Sequence, residues 1–424
     1  MHRLTCILLL LGFLTPAAAA VDSPAAVLTE IETRNPRLKA QRAQVRALGH
    51  AQGPAGALPD PEFMVGLSNL PLSKDSTPLT GLQFELRQRF PWFGTLGARE
   101  RLAGAEQEIQ RAELRRLRQA LITKAQVLLW RMTGLAQQAG LERERLALLE
   151  QLAHAVEAVY INGQGRGADL LRPQIESHRS RERLLGLAEQ EASLRARLNA
   201  LRDRPSHHPF DLPRLPKAPE QDIVLGPKDT ALLQARAQAA NPGLQKADEN
   251  LQSRRQALLL VRKQKYPNFS LGLQYRLRWV ETMDAVAGAD FVGLNLGVSL
   301  PLWSGRKQQE SEHMAAARIE ASRHGREGVR LELDQAVARS LLKIKRHRDQ
   351  TRLLTEHTLP DAHRAFDAAL SDYQAGLSDL PAVLEQLKLT IQIKTDVLNQ
   401  RIALLQEKSI LEGLVGLSDK ERSS

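Results

Sequence analysis

Phe90-Pro91-Trp92-Phe93-Gly94 returns later in the chain as Leu300-Pro301-Leu302-Trp303-Ser304-Gly305. Three more pairs keep the same order. Asn35-Pro36-Arg37-Leu38 matches Asn241-Pro242-Gly243-Leu244, and Leu58-Pro59-Asp60-Pro61-Glu62-Phe63 matches Lys265-Tyr266-Pro267-Asn268-Phe269. Tyr160-Ile161-Asn162-Gly163 matches Tyr373-Gln374-Ala375-Gly376. The offset grows from about 206 to about 213 residues, as small loop insertions would make it. A solenoid would return every ~20–50 residues, so this is one duplicated structural unit. The first repeat spans 21–202 and the second 229–416. A Pro-rich segment, 203–228, joins them as an irregular surface connection, and 417–424 is a tail.

Just before each Phe/Leu-Pro motif the residues alternate. Gly81 to Phe90 sets Leu82, Phe84, Leu86 and Phe90 against Gln83, Glu85, Arg87 and Arg89. Asn268 to Trp279 sets Phe269, Leu271, Leu273, Tyr275, Leu277 and Trp279 against Ser270, Gly272, Gln274, Arg276 and Arg278. Phe291 to Leu300 sets Val292, Leu294, Leu296, Val298 and Leu300 against Gly293, Asn295, Gly297 and Ser299. Glu62 to Leu70 is a weaker case, with Phe63, Val65 and Leu67 on one face. Period two is the strand signal. A half-buried sheet of a soluble protein would read the same on one strand. Here each run is about 9–12 residues, the length of a tilted strand crossing a bilayer. Phe90, Trp92, Tyr266 and Trp279 sit at run ends, where an interfacial aromatic girdle belongs. The polar, turn-rich links Pro71 to Thr80 and Glu281 to Asp290 make hairpins of 62–90 and 268–300. Four strands close no barrel, and open edges are not tolerated in lipid, so several chains must share one.

After each hairpin the period changes. Leu114, Leu117, Leu121, Ala125, Leu128, Met132 and Leu135 step by three or four, as do Leu149, Leu152, Val156 and Val159. This is a heptad-type seam. A helix from Gly97 to Tyr160 is roughly 95 Å long. A second long helix starts near Trp303, with Pro360 a candidate for a kink or an offset. Return helices are predicted over Asp169 to Leu201 and Asp379 to Leu414. One helix is predicted before each hairpin, over Pro24 to Gly53 and over Thr230 to Lys265. The fold class is thus mostly α with a small β part: long helices and a transmembrane β-barrel shared between protomers, four strands per chain.

Met1-His2-Arg3, the apolar run Leu4 to Leu14 and Ala17-Ala18-Ala19-Ala20 form a signal peptide over residues 1–20, with an uncleaved anchor as the alternative. Cys6, the one cysteine, lies inside it, so the mature chain carries no disulfide or thiolate metal site. The formal net charge is +11, which raises nucleic acid as a partner. Export argues against it, and so do the glutamates set beside the arginines, as in Glu142-Arg143-Glu144-Arg145. Gly163-x-Gly165-x-Gly167 follows a helix and lacks the Gly-Lys-Ser/Thr ending of a phosphate loop. His154, His178, His207, His208 and His313 lack metal-ligand spacing. Neither a catalytic residue nor a cofactor site is expected.

The signal peptide, the tandem helix–hairpin–helix–helix units and the Tyr-x-x-Gly turns together resemble the TolC-type outer membrane efflux proteins. The duplicated Asn-Pro openings, Val383-Leu384 and Val292-Gly293-Leu294-Asn295-Leu296 carry the likeness over nearly the whole mature chain. Pro59-Asp60-Pro61, Asn69-Leu70-Pro71, Phe90-Pro91-Trp92-Phe93-Gly94 and Tyr266-Pro267-Asn268-Phe269 look most like the heavy-metal branch, of the CusC and CzcC kind. That branch often has Lys after the glycine, where this chain has Thr95.

The resemblance implies a homotrimer in the cell outer membrane, in contact with its lipid, whose helices form a long α-helical barrel, a hollow periplasmic extension about 100 Å long. The duct would export heavy-metal cations passively. It would dock a periplasmic adaptor (membrane fusion) protein and an inner-membrane, proton-driven pump of the RND type. Ducts for organic compounds or secreted polypeptides, and a soluble periplasmic coiled-coil scaffold, are the alternatives. The tip that closes the duct and meets the adaptor would hold Tyr160, Gly163, Asp169, Leu171, Tyr373, Gly376, Asp379, Leu384 and Glu385. Glu385 matches an acidic gate position, whereas Ala382 stands where another carboxylate is common. Asp169 and Asp379 either supply acidic rings that favour cations or cap the return helices.

Overall fold

The computed structural model describes residues 22–68, 81–162, 166–217, 227–278 and 289–416. The predicted signal peptide and tail, the link Pro71 to Thr80, all but the last two residues of the link Glu281 to Asp290, and Gly163 lie outside them. In chain order the elements are α1 (Pro24–Arg34), α2 (Pro36–Gly56), β1 (Glu62–Ser68), β2 (Gly81–Phe90), α3 (Thr95–Ile161) and α4 (Gly167–Arg202). The second repeat supplies α5 (Pro227–Ala240), α6 (Pro242–Lys263), β3 (Phe269–Arg278), β4 (Phe291–Val298), α7 (Gln309–Leu353), α8 (Leu359–Gln374) and α9 (Leu380–Val415). The chain forms two compact units, and each draws on both repeats.

The helix expected before each hairpin is two helices. Each breaks at the Asn of Asn-Pro. A proline disfavours the α region for the preceding residue, and Asn35 and Asn241, with side chains that bond elsewhere, have ψ of 123° and 121°. Each asparagine then makes the same long-range bond. Asn35 Nδ2 donates to the Leu201 carbonyl at 2.8 Å, and Asn241 Nδ2 to the Leu414 carbonyl at 3.0 Å. Both acceptors lie at the C-terminal end of the return helix of the same repeat, where helical carbonyls lack partners. Asn241 also caps α6, its Oδ1 accepting from the N–H of Gly243 at 2.8 Å and of Leu244 at 3.3 Å. The next turn of each return helix ends left-handed, at Asp203 (φ 57°) and Gly416 (φ 70°). A side chain at Gly416 would meet Ala240 Cβ at 2.9 Å, so glycine is needed there for space as well.

The growing offset is not all loop insertion. It is 210 at Pro91/Pro301, 211 at Gly94/Gly305 and 213 at Tyr160/Tyr373. Two of these residues therefore enter within the long helices. The second repeat holds two π-turns, Ser304–Gln308 and Leu354–Thr358, where the first has unbroken α3. A π-turn takes one extra residue into a helix. The second π-turn also lies just before Pro360, whose missing N–H leaves a carbonyl without its donor.

One unit comprises Met1–Asn35, Lys124–Ile223 and His347–Gln406. The predicted seam is buried here at Ala125, Met132, Leu135, Leu149, Leu152 and Val156. Helices approach closely at Gly134, where a Cβ would sit 3.1 Å from Ile402 Cγ1. Arg202 is fully buried. It pairs with Asp22 and with Glu30 at 2.8 Å, bonds Asn199 Oδ1 at 3.1 Å and lies over the Phe210 ring. Burial alone would push the Glu30 carboxyl up, but hydrogen bonds from Arg204 and Arg202 outweigh it and hold the carboxyl below its ordinary value.

The other unit comprises Pro36–Thr123, Val224–Arg346 and Glu407–Ser424. It holds the sheet and a core of Ala237, Leu244, Leu333, Val337, Leu341 and Val415. Glu113 of α3 joins Arg116 at 2.7 Å and Lys246 of α6 at 3.1 Å. The Arg116 hydrogen bond, with that of Lys246, exceeds the burial effect and lowers its pKa to about 2.

Two outcomes follow from these contacts. Asn241→Ala removes cap and clamp and costs about 1–2 kcal/mol. Asn241→Asp keeps the cap acceptor and loses less, and thermal unfolding midpoints of both variants check the order. Because the Glu113 pKa is depressed in the folded state, its contribution is present above pH 4.5 and is lost as pH falls toward about 2. Lys246→Met should flatten the midpoint-versus-pH curve in that window.

Candidate membrane sheet and helical tip

The four strands form one antiparallel sheet in the order β1-β2-β3-β4. Its register sums the four alternations into one face. Val65, Phe84, Tyr275 and Val292 form one cross-strand row, and Phe63, Leu86, Leu273 and Leu294 the next. These apolar side chains are largely uncovered: Val292 and Leu294 are each 73% exposed and Leu296 is 75%. The opposite face carries Glu85 paired with Arg87 at 2.6 Å and Glu62 with Arg89 at 3.0 Å. Arg276, exposed on that polar face, has no carboxylate partner among the described residues. Its cross-strand neighbours are Gln83 and Phe291. Each outer strand, β1 and β4, presents an unpaired edge within this chain.

At one end of the sheet the aromatic residues cluster. The Trp92 ring stacks on Tyr266 at 4.9 Å and on Phe269 at 5.8 Å. Phe93 and Trp303 are 76% and 78% exposed. Trp279 lies outside the described residues.

The predicted tip lies within the other unit, where α3, α4, α8 and α9 meet. Leu152 and Val156 of α3 pack with Leu380 and Val383 of α9, and Leu170, Tyr373 and Leu384 close over them. Gly376 has φ 74°, a conformation that disfavours any residue with a Cβ. Its N–H bonds the Tyr373 carbonyl at 3.1 Å, and the Leu377 N–H bonds the Asp372 carbonyl at 2.8 Å. This left-handed turn ends α8. Asp379 then caps α9, its Oδ1 accepting from the Ala382 N–H at 3.3 Å. Asp169 does not cap α4. It sits inside the first turn and pairs with Arg172 at 3.4 Å, while Arg166 takes the cap position without a side-chain bond. Glu385 is exposed with Lys388 at 3.7 Å, and Tyr160 and Leu171 are exposed. Burial, and then the nearby Asp169 charge, raise the Tyr373 pKa. Among the described residues no group of three or more His, Cys, Asp or Glu side chains is placed to hold a metal ion.

Residues 233–417 match the family model described as outer membrane efflux protein. The match covers the second repeat. No curated protein sequence matches the chain. Solved structures match almost end to end. The outer membrane protein VceC of Vibrio cholerae is 16% identical with a TM-score of 0.74, over 93% of this chain and 96% of that one. CusC is 15% identical with a TM-score of 0.77, over 93% and 92%. The open state of the MtrE outer membrane channel of Neisseria gonorrhoeae is 15% identical with a TM-score of 0.73, over 93% and 88%. The fold is thus that of these channels, a helical part with a small sheet, and both repeats take part in it.

Of the two readings open for each aspartate, Asp379 takes the cap, whereas Asp169 lies within the first turn of α4 and does not cap it. The buried Arg202 pair with Asp22 and Glu30 gave no sequence signal, since its members lie far apart in the chain.

Asp169→Asn should lower the Tyr373 pKa, read by ultraviolet titration of the phenol. A phenol raised in the folded state contributes stability below its unfolded pKa, near 10, that is lost as pH rises through the folded value. Loss begins near pH 10 in both proteins, and the variant, with the smaller upward shift, should lose less stability over a narrower alkaline window.

Proposed function

We propose that this protein is the outer membrane channel of a tripartite efflux system, a passive duct that catalyses nothing. The observation that carries this is the apolar sheet face: continuous across four strands, exposed, flanked by aromatic rings, and open at both edges. An exposed apolar face of that size marks a contact with lipid or protein, and free edges in lipid must pair. Joining β1 of one copy to β4 of the next satisfies both. Three copies make a closed barrel of about twelve strands, within the range of known membrane barrels. The efflux-protein match of the second repeat supports the same reading.

The turns at Tyr160–Leu171 and Tyr373–Leu384 then form the periplasmic end, which meets a membrane fusion adaptor and, through it, an RND-type pump. The exposed Leu171 and Leu377, with Glu385, offer that partner an apolar and acidic surface. Heavy-metal cations are the cargo that the Pro59-Asp60-Pro61, Phe90-Pro91-Trp92-Phe93-Gly94 and Tyr266-Pro267-Asn268-Phe269 motifs support. Organic or anionic cargo is the second reading, favoured by the uncompensated Arg276 on the polar face. With Asp379 committed to its cap, the acidic ring is left to Glu385.

Purified in detergent, the protein should migrate as a trimer that dissociates only on heating. Recovery as a detergent-free soluble monomer would reject the membrane channel. Deleting the gene should then lower tolerance to metal salts, whereas lowered tolerance to organic toxicants alone would favour the second reading.

A further inference from the structure

At the sheet end bearing the aromatic cluster, α3 begins. Its first turn is built from Gly94, Thr95, Leu96 and Gly97, and the N–H groups of Leu96 and Gly97 have no acceptor among the described residues. Thr95 is 6% exposed, and its hydroxyl is buried without a partner. Two cations lie on the same turn. Lys263 Nζ is 3.6 Å from where a Cβ on Gly94 would stand, and Arg101 Nη1 is 3.4 Å from the equivalent point on Gly97. Neither has a carboxylate partner among the described residues, and Lys263 is half-buried. Between them opens a cavity of about 380 Å³, lined by Arg101, Arg262, Lys263, Lys265, Tyr266 and the single carboxylate Glu312. Glu312 is already held by Arg262 at 2.8 Å and by Lys265.

We infer that this cavity binds the phosphate of an anionic phospholipid in the membrane leaflet nearest the helices. Four cations against one carboxylate line the cavity, and Arg101 and Lys263 are left unneutralised among the described residues, so its chemistry suits an anion. Its position selects the source of the anion. The Tyr266 ring that lines the cavity also stacks on Trp92, among the aromatic side chains that border the apolar sheet face. Aromatic rings of that kind lie at headgroup depth. Acyl chains would run along the sheet while the phosphate meets Arg101 and Lys263. In the second repeat, Arg306 and Lys307 follow the equivalent motif, also without a carboxylate partner among the described residues. This inference rests on the lipid-facing reading of the sheet.

Native mass spectrometry of the full-length oligomer in detergent tests it, with phosphatidylglycerol, phosphatidylcholine and inorganic phosphate as probes. Phosphatidylglycerol should be retained in preference to phosphatidylcholine, and millimolar phosphate should not displace it. Lys263→Gln with Arg101→Gln should weaken retention about tenfold or more, the loss expected when charge-assisted bonds go. Lys263→Gln alone provides a second and milder variant. Retention unchanged by every substitution, in a heat-modifiable oligomer, overturns the site alone. Displacement by inorganic phosphate overturns the lipid as its ligand. A detergent-free soluble monomer overturns the channel reading and the site with it.

Discussion

An apolar face with no protein packed on it is the constraint around which this molecule is arranged. Four strands, each alternating, are registered so that their apolar sides coincide. Water would penalise that surface at about 25 cal/mol per Å². The sheet cannot curl on itself with four strands, nor pack against helices that are polar over most of their surface. In the channel we propose, a hydrocarbon neighbour and copies of the same chain would resolve both the face and the edges. The duplication follows naturally, since each repeat contributes one hairpin and the helices that hold it.

The helices solve a different problem. They carry many charges and few aromatic residues, and their cohesion comes from narrow seams such as Leu149, Leu152 and Val156. Many of their ion pairs join exposed residues three or four apart on one helix, each contributing well under 1 kcal/mol. Arg145, buried, instead reaches Glu176 of α4, and a second exception is Arg202. Buried between Glu30 and Asp22, it ties the start of the described chain to the end of α4. Removing one partner of such a pair strands a charge and costs about 3–5 kcal/mol.

Strands, long helices and the Gly376 turn were legible because each follows from a local period or a backbone requirement. The Leu82–Phe84–Leu86 alternation needs no partner to be recognised. The breaks at Asn35 and Asn241 were hidden by continuous helical periodicity on either side, although the proline that imposes them was in plain view. Asp169 and Asp379 look alike in sequence, and only the position of the first helical turn separates a cap from an ion pair. The cations above the first turn of α3 were out of reach because Lys263 arrives from α6, far away in the chain.

The two π-turns make the repeats mechanically unequal. In α3 each interior amide bonds four residues back, so the helix bends only as a uniform rod. The corresponding helix of the second repeat contains Leu354–Thr358, where the hydrogen-bond ladder is re-phased. Such a joint has lower stiffness than the helix around it. The second repeat thus carries, at Leu354–Thr358, a place to bend that α3 lacks, although both long helices follow the same pattern of residues.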